Sequence, residues 1–237
     1  MTDFRTGEVL LIHKPLKWTS FQVVNKMKWL IKNHPSLLLD GKKVQPKIGH
    51  AGTLDPLATG LLIVCTGKQT KNIESYQAQE KEYTGTFYIG ATTPCYDLEK
   101  EIDATYPTEH ITEALIRETT KQFTGTIQQT PPLYSAIKID GKRAYDIARA
   151  GQTAEIKSKE ITISVFEITR IALPEVDFRV VCSKGTYIRS LARDFGEALK
   201  SGAHLIALCR TRIGEYKLED AMSIEDFEKS LKIEMPS

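Results

Sequence analysis

The sequence predicts an α+β fold, a mixed and largely antiparallel sheet flanked by helices, within one continuous domain over residues 1–237. Three observations carry that prediction. Short runs of β-formers recur along the chain, and amphipathic stretches at helical spacing fall between them. The two kinds interleave without the regular strand–helix–strand alternation of a parallel sheet. With 41% hydrophobic and 26% charged residues over 237 positions, the composition is ordinary for a globular protein. A chain of this length buries roughly 70% of its unfolded surface without needing a disulfide or a metal. No repeat, low-complexity tract or Pro/Gly/Ser linker divides it.

From the N-terminus, "EVLLIHKP" predicts a strand stopped by Pro15. "TSFQVVNKMKWLIKN" predicts a helix capped at Thr19/Ser20, with Val23, Val24, Met27, Leu30 and Ile31 at helical spacing. "GLLIVCTG", an apolar run bounded by glycines, predicts a buried strand, and "KEYTGTFYIG" a strand with Tyr83, Phe87 and Ile89 on one face. "ITEALIRETTKQF" reads as a helix. "ITISVFEITRIAL" and "VDFRVVCSK" read as strands, the first changing phase at Val165–Phe166, where a bulge is expected. "TYIRSLARDFGEALK" is a helix with Ile188, Leu191, Ala192, Phe195 and Leu199 on its apolar side, and "SIEDFEKSLKI" opens on a Ser223/Asp226 pair like a capping box.

One segment departs from this pattern. "QQTPPLYSAIKIDGKRAYDIARAG", residues 128–151, sets Tyr134, Lys138, Lys142, Arg143, Tyr145 and Arg149 after paired prolines. Basic residues interleaved with aromatics fit an arm that grips a nucleic acid, and equally an ordinary hairpin followed by an amphipathic helix.

Net charge is only +2, but residues 1–50 hold nine Lys/Arg against three Asp/Glu, a net of +6, leaving −4 for the rest. Local basicity of this kind fits a nucleic-acid-binding face or a solvated lysine-rich helix. Cys65, Cys95, Cys182 and Cys209 lie far apart, without CxxC pairs or histidines at zinc-finger spacing, so neither structural zinc nor disulfides are expected. No apolar run reaches the ~18 residues of a membrane span, and the N-terminus lacks signal-peptide features. The expectation is a cytoplasmic protein without a structural metal.

"GHAGTLDPLATGLL", residues 49–62, holds the candidate chemistry. From Gly41 to Ile73, Asp55 is the only acid, among Lys42, Lys43, Lys47, Lys68 and Lys71. Pro56 biases Asp55 toward an extended backbone, and the glycines permit a tight turn. Asp55 is then either a structural turn residue or a nucleophile that meets a polyanion. A nucleophile needs a cation to keep it ionised, and a nucleobase needs an aromatic face. Arg189 and Tyr83 are candidates for those two parts. Taken singly, however, Arg189 reads as a surface residue on the opening turn of a helix and Tyr83 as a core residue.

Taken together, "HKPLKWTSFQVV", "GHAGTLDPLATGLLIVCTGKQTK", "KEYTGTFYIGATTPCYDLE", "QQTPPLYSAIKIDGKRAYDIARAG", "VVCSKGTYIRSLARDFGEAL" and "GAHLIALCRTRIGEYKLEDAMSIEDF" resemble, in order, the motifs of the bacterial tRNA pseudouridine synthase B family. The resemblance covers nearly the whole chain. It implies the pseudouridine synthase fold, with a thumb-like insertion over about 127–151, and conversion of uridine 55 in the tRNA T-loop to pseudouridine. Asp55 matches the family's catalytic aspartate. Tyr83 matches a tyrosine that stacks on the base and is a candidate for the final proton abstraction. Arg189 matches the arginine that pairs with the aspartate, and Tyr187 an aromatic lining the pocket. His50 falls where a histidine meets the flipped-out nucleotides. Lys71, Lys142, Arg143 and Arg149 are carried as further substrate-binding residues.

The implied partner is the T-arm of tRNA, bound by a monomer with no obligatory protein partner, membrane or cofactor. Where relatives often place a glycine, the chain reads "YDLEKE", from which a changed turn is expected. No C-terminal RNA-binding domain of the PUA type is expected before Ser237. Two rival readings of the sequence remain. One is a glycoside hydrolase, which ordinarily needs two carboxylates flanking the bond, and the other is a non-catalytic tRNA-binding or folding module.

Overall fold

In the computed structural model, which describes residues 2–135, 138–139, 142–143 and 156–234, the chain gathers into two compact units. One comprises Met1–Glu82 with Cys209–Ser237, the other Tyr83–Leu208.

In the first unit, "GLLIVC" is buried on both faces because Ala58–Thr66 is an inner strand. Val9–Lys14 runs antiparallel along one edge, with Val9 opposite Cys65 and Lys14 opposite Gly60. The Ala203–Ile213 strand, which enters this unit at Cys209, lies on the other edge, and Ile48–His50 pairs with the end of Ala58–Thr66. Alternation sends Leu62 and Val64, with Leu10 and Ile12, to the face covered by helices Ser20–Ile31 and Ile224–Glu234. Leu61, Ile63 and Cys65 pack on the opposite face with Ala51 and Ile213.

Helix Ser20–Ile31 begins where expected. Thr19 is extended, its hydroxyl accepts from the Gln22 amide at 3.1 Å, and the Gln22 side chain accepts from the Thr19 amide at 2.7 Å. Val23, Met27 and Ile31 are fully buried. At ~1.5–3 kcal/mol for each such side chain, burial outweighs the helix's intrinsic preference as the source of its stability. The Ser223 hydroxyl likewise caps the second helix, accepting from the Asp226 amide at 3.0 Å.

In the second unit, the strands run in the order Lys81–Ile89 (from Tyr83 on), Glu175–Cys182, Lys159–Ala172, Gly125–Gln129. The pairs formed by Lys159–Ala172 with its two neighbours are antiparallel. The expected bulge is present, with the register shift between Ile163 and Val165, just before the anticipated position, and a second shift falls between Ile168 and Arg170. The first shift lets both Ile163 and Phe166 face inward. Phe87 stacks on Phe178 with centroids 4.2 Å apart, and Phe166 meets Phe195 of helix Ile188–Ala198 at 5.3 Å.

The helix expected through Phe123 is α-helical only over Glu113–Thr119 and tightens to a 3₁₀ turn at Thr120–Phe123. There the Thr119 and Thr120 hydroxyls donate back to the carbonyls of Leu115 and Arg117, at 2.7 and 2.8 Å. Within the arm, Lys138–Ile139 and Lys142–Arg143 form an antiparallel pair. Tyr145 and Arg149 lie outside the described residues. Cys65, Cys95 and Cys182 are buried free thiols, and Cys209 is free and half-buried. Among the described residues no helix is long and apolar enough to cross a membrane.

Candidate active site

Asp55 sits half-buried on a loop held at several points within the first unit. Ahead of it, Leu54 is tied to the first residue of helix Ser20–Ile31. The Ser20 hydroxyl accepts from the Leu54 amide at 2.9 Å and donates to its carbonyl at 3.3 Å. Behind it, the Pro56 carbonyl accepts from the Lys17 amide at 2.8 Å, and the Ala58 amide donates to the Asp55 carbonyl at 3.0 Å. Asp-Pro thus forms a braced turn, with the chain on either side fixed to the helix and to the approach segment 14–18.

Two buried cations complete the bracing. Lys14, fully buried, donates to the carbonyls of Trp18 at 2.6 Å, Pro15 at 3.0 Å and Pro56 at 3.5 Å. Burial pushes its ammonium down to about 8, opposed by the charge of Asp55 and assisted by that of Arg210. Arg210, 1% exposed, donates from Nε to the Leu61 carbonyl at 2.8 Å and from Nη2 to the Gly52 carbonyl at 3.1 Å. Gly60 makes that approach possible. Its φ is +110°, and a Cβ there would lie 2.3 Å from the Arg210 carbonyl oxygen.

His50, on strand Ile48–His50, is half-buried. Burial holds its imidazole below the usual histidine range, with a backbone contact to Gly52 opposing and the Arg210 charge reinforcing, so the ring is neutral at pH 7. Its Nδ1 is buried with no hydrogen-bond partner among the described residues. Lys71 is exposed on the 3₁₀ turn Gly67–Asn72 and lines a cavity of about 240 Å³ with Arg5, Lys47, Lys68, Leu37, Val44 and Pro46.

The second unit holds the aromatic and arginine candidates. Tyr83 is buried on the inward face of its strand, as its spacing predicts. Arg189 is not the surface residue that its helical position suggests. It is 5% exposed, donates from Nη1 to the carbonyls of Tyr134 at 3.0 Å and Cys95 at 3.3 Å, and pairs through Nε with Asp97 at 3.6 Å. Tyr187 is the N-cap of helix Ile188–Ala198. The buried amide of Gln129 grips its backbone twice, accepting from its N–H at 2.8 Å and donating to its carbonyl at 3.1 Å. Ser190 adds a bond to the Thr130 carbonyl at 2.8 Å. The root of the 128–151 arm is therefore fastened to the turn that carries Tyr187 and Arg189.

A model of the TruB family pseudouridylate synthase N-terminal domain matches residues 40–188. The chain belongs to the TruB family. A second model, the tRNA pseudouridylate synthase B C-terminal domain, matches residues 189–235. Among the relatives of this TruB chain, tRNA pseudouridine synthase B of Flavobacterium johnsoniae is 65% identical over 230 residues, covering 97% of this chain and 98% of its own length. The protein of the same name from Phocaeicola vulgatus is 59% identical over 225 residues, covering 95% and 93%. Among solved structures, a chain of a Cbf5–Nop10–Gar1 complex superposes with a TM-score of 0.72 at 29% identity, over 98% of this chain and 56% of that one. The TruB chain therefore spans little more than half of that structure's chain. These likenesses carry the pseudouridine synthase fold expected from the motifs.

Several site residues of this TruB chain were missed by reading the sequence. Lys14 had a signal, since it continues the inward parity of Leu10 and Ile12 on one strand. Ser20, Asp97, Gln129 and Arg210 had none, because the partners that place them here, Leu54, Arg189, Tyr187 and Gly52, lie 34 to 158 residues away.

Proposed function

We propose that this chain isomerises uridine 55 in the T-loop of tRNA to pseudouridine, with Asp55 as the catalytic nucleophile. The observation that carries the reading is the braced Asp55 turn in a TruB-family chain. Lys14, Lys17, Ser20 and Arg210 hold that turn by its own backbone, so the position of the one acid between Gly41 and Ile73 is fixed by bonds that do not involve its carboxylate.

The other roles follow from the motif matches. Tyr83 stacks on the target base and is the candidate for the final proton abstraction. Arg189 offsets the charge of Asp55, Tyr187 lines the base pocket, and His50 meets the flipped-out nucleotides. A neutral imidazole suits that contact, because it offers a flat polarisable face without a fixed charge. Lys71, Lys142, Arg143 and Arg149 contact phosphates, the last three from the thumb-like insertion over about 127–151.

The reaction breaks the N1 glycosidic bond, turns the uracil within the pocket and rejoins it to the ribose through C5. N1 gains the proton that C5 loses, so the chemistry balances without redox or phosphoryl transfer and calls for no cofactor. Extruding the base costs about a few kcal/mol, offset by stacking and by contacts to its neighbours. The enzyme works as a cytoplasmic monomer with the T-arm as its recognised element. Incubating the protein with an unmodified tRNA transcript and mapping pseudouridine by carbodiimide–primer extension tests this. One stop at position 55 is expected, and modification confined to another position would overturn the assignment.

A further inference from the structure

Helix Ser20–Ile31 buries one face completely and leaves the other with no counterpart in the chemistry above. Its outer stripe is Phe21, Asn25, Lys28, Trp29 and Lys32, all exposed, with Phe21 67% and Trp29 55% accessible. At 100° per residue these five positions fall within about a 100° arc, opposite Val23, Met27 and Ile31. Neither Phe21 nor Trp29 belongs to the core cluster that the helix's inner face joins, so burial of the helix does not account for them.

The electrostatics of the stripe are one-sided. Between Glu8 and Asp40 the chain has five lysines and no acid. On the flank, Glu228 of helix Ile224–Glu234 lies 3.7 Å from Lys26. Two ammonium groups lie over the Trp29 ring, with Lys26 Nζ 4.6 Å and Lys32 Nζ 5.1 Å from its centroid. Lys26 already has Glu228 as an alternative partner. A π-face can therefore be vacated for a base while the displaced ammonium keeps a counter-charge and Lys32 turns to a phosphate.

The position of the stripe adds direction. The helix starts at the Asp55 loop, where Ser20 is bonded to Leu54, and Phe21 to Lys32 then spans about 16 Å away from it. We propose that this basic-aromatic stripe is a track for a single-stranded segment of the RNA substrate, with Trp29 stacking on one unpaired base and Lys28 and Lys32 pairing with phosphates. The proposal rests on the reading of tRNA as the substrate. A stacking residue flanked by lysines, on a helix that itself carries no acid, suits RNA with splayed bases better than it suits a protein or a duplex.

The test is binding of unmodified full-length tRNA to wild type, Trp29→Ala and Trp29→Phe, read by filter retention and by tryptophan emission. All variants are checked for folding by circular dichroism. Trp29→Ala should raise Kd about fivefold or more, since removing one stacking aromatic costs at least that. Trp29→Phe should recover most of the affinity while losing the RNA-dependent emission change. Lys28→Gln with Lys32→Gln should flatten the salt dependence by about 0.7–0.9 log units per lost contact. Unchanged Kd and salt slope in these variants would overturn the track. So would loss of a self-association, seen by light scattering, with RNA affinity intact, because the face would then belong to a second copy of the chain. Pseudouridine formation is scored separately on the same tRNA. A failed track with normal modification by the wild type leaves the proposed function standing, and binding through Trp29 without modification does the reverse.

Discussion

Arg210 reaches 158 residues back along the chain to hold the carbonyl of Gly52, at 3.1 Å, while its Nε holds that of Leu61 at 2.8 Å. One buried guanidinium thereby ties the start of the Asp55 loop to the strand that follows it. Its planar fork serves two acceptors in fixed directions, which a lysine ammonium on a flexible stem does not do. Arg210→Lys should therefore leave the loop less rigid. We expect a fall in single-turnover rate of about tenfold or more, the loss expected from a displacement near 1 Å at a reacting group. Stopped single-turnover assays at saturating RNA, run well below the melting temperature of the variant, check this.

Lys14 supplies a pH signature with two opposite signs. Its ammonium titrates near 8 in the folded chain and at 10.5 unperturbed. Between those values the unfolded state binds more protons, so this group makes stability rise with pH over about 8 to 10.5. Activity should run the other way. Above about 8 the ammonium that holds the Pro56 and Trp18 carbonyls becomes an amine with one donor fewer, and the brace on Asp55 weakens. An alkaline limb in kcat/KM near pH 8, with thermal stability not falling in parallel, is expected for the wild type. Lys14→Arg should move that limb upward.

Arg189→Lys should cost turnover far more than RNA affinity. The arginine divides its donors among the Tyr134 carbonyl, the Cys95 carbonyl and Asp97, all in a buried setting that an ammonium cannot match in geometry. Measured kcat and Kd should separate by an order of magnitude or more. Near-normal turnover in the variant would show that the guanidinium is dispensable.

Gln129→Ala removes both bonds to the Tyr187 backbone, while the Tyr187 carbonyl keeps its helix bond from the Leu191 amide at 3.0 Å. At ~0.5–1.5 kcal/mol for each lost bond the variant should melt at a lower temperature. Because the same amide fastens the arm root to the turn bearing Arg189, proteolysis within 128–151 should also accelerate. Limited trypsin digestion of the two proteins side by side reads this.

The elements legible in the sequence were those set by local rules. The Thr19 cap, the Ser223 cap, the two-sided burial of Ala58–Thr66 and the shared inward face of Tyr83, Phe87 and Ile89 all follow from periodicity and capping chemistry. The bulge was legible as a change of phase, because Ile163 and Phe166 cannot both face inward on an unbroken strand. Asp55 was legible as a lone acid in a glycine-rich turn, though only the ordered motifs gave it a role. What the sequence concealed was where the buried arginines bond, Arg210 in bracing the Asp55 turn and Arg189 within its own unit. The carbonyls they hold lie 55 to 158 residues away, and a carbonyl acceptor leaves no mark on residue identity. A buried arginine whose partners are backbone atoms is, in sequence, indistinguishable from an exposed one.

The central claim is that Asp55 carries the chemistry and the rest of the loop serves to present it. Its most direct test is a single-turnover assay of Asp55→Asn on an unmodified tRNA transcript, from a preparation free of host enzyme, with RNA affinity measured in parallel. The substitution keeps size and hydrogen-bonding shape and removes the nucleophilic charge. Binding energy drawn from phosphates and bases should persist. The account predicts no detectable pseudouridine at position 55 and a Kd within about fivefold of wild type. Pseudouridine formed by the variant at a measurable fraction of the wild-type rate would contradict it.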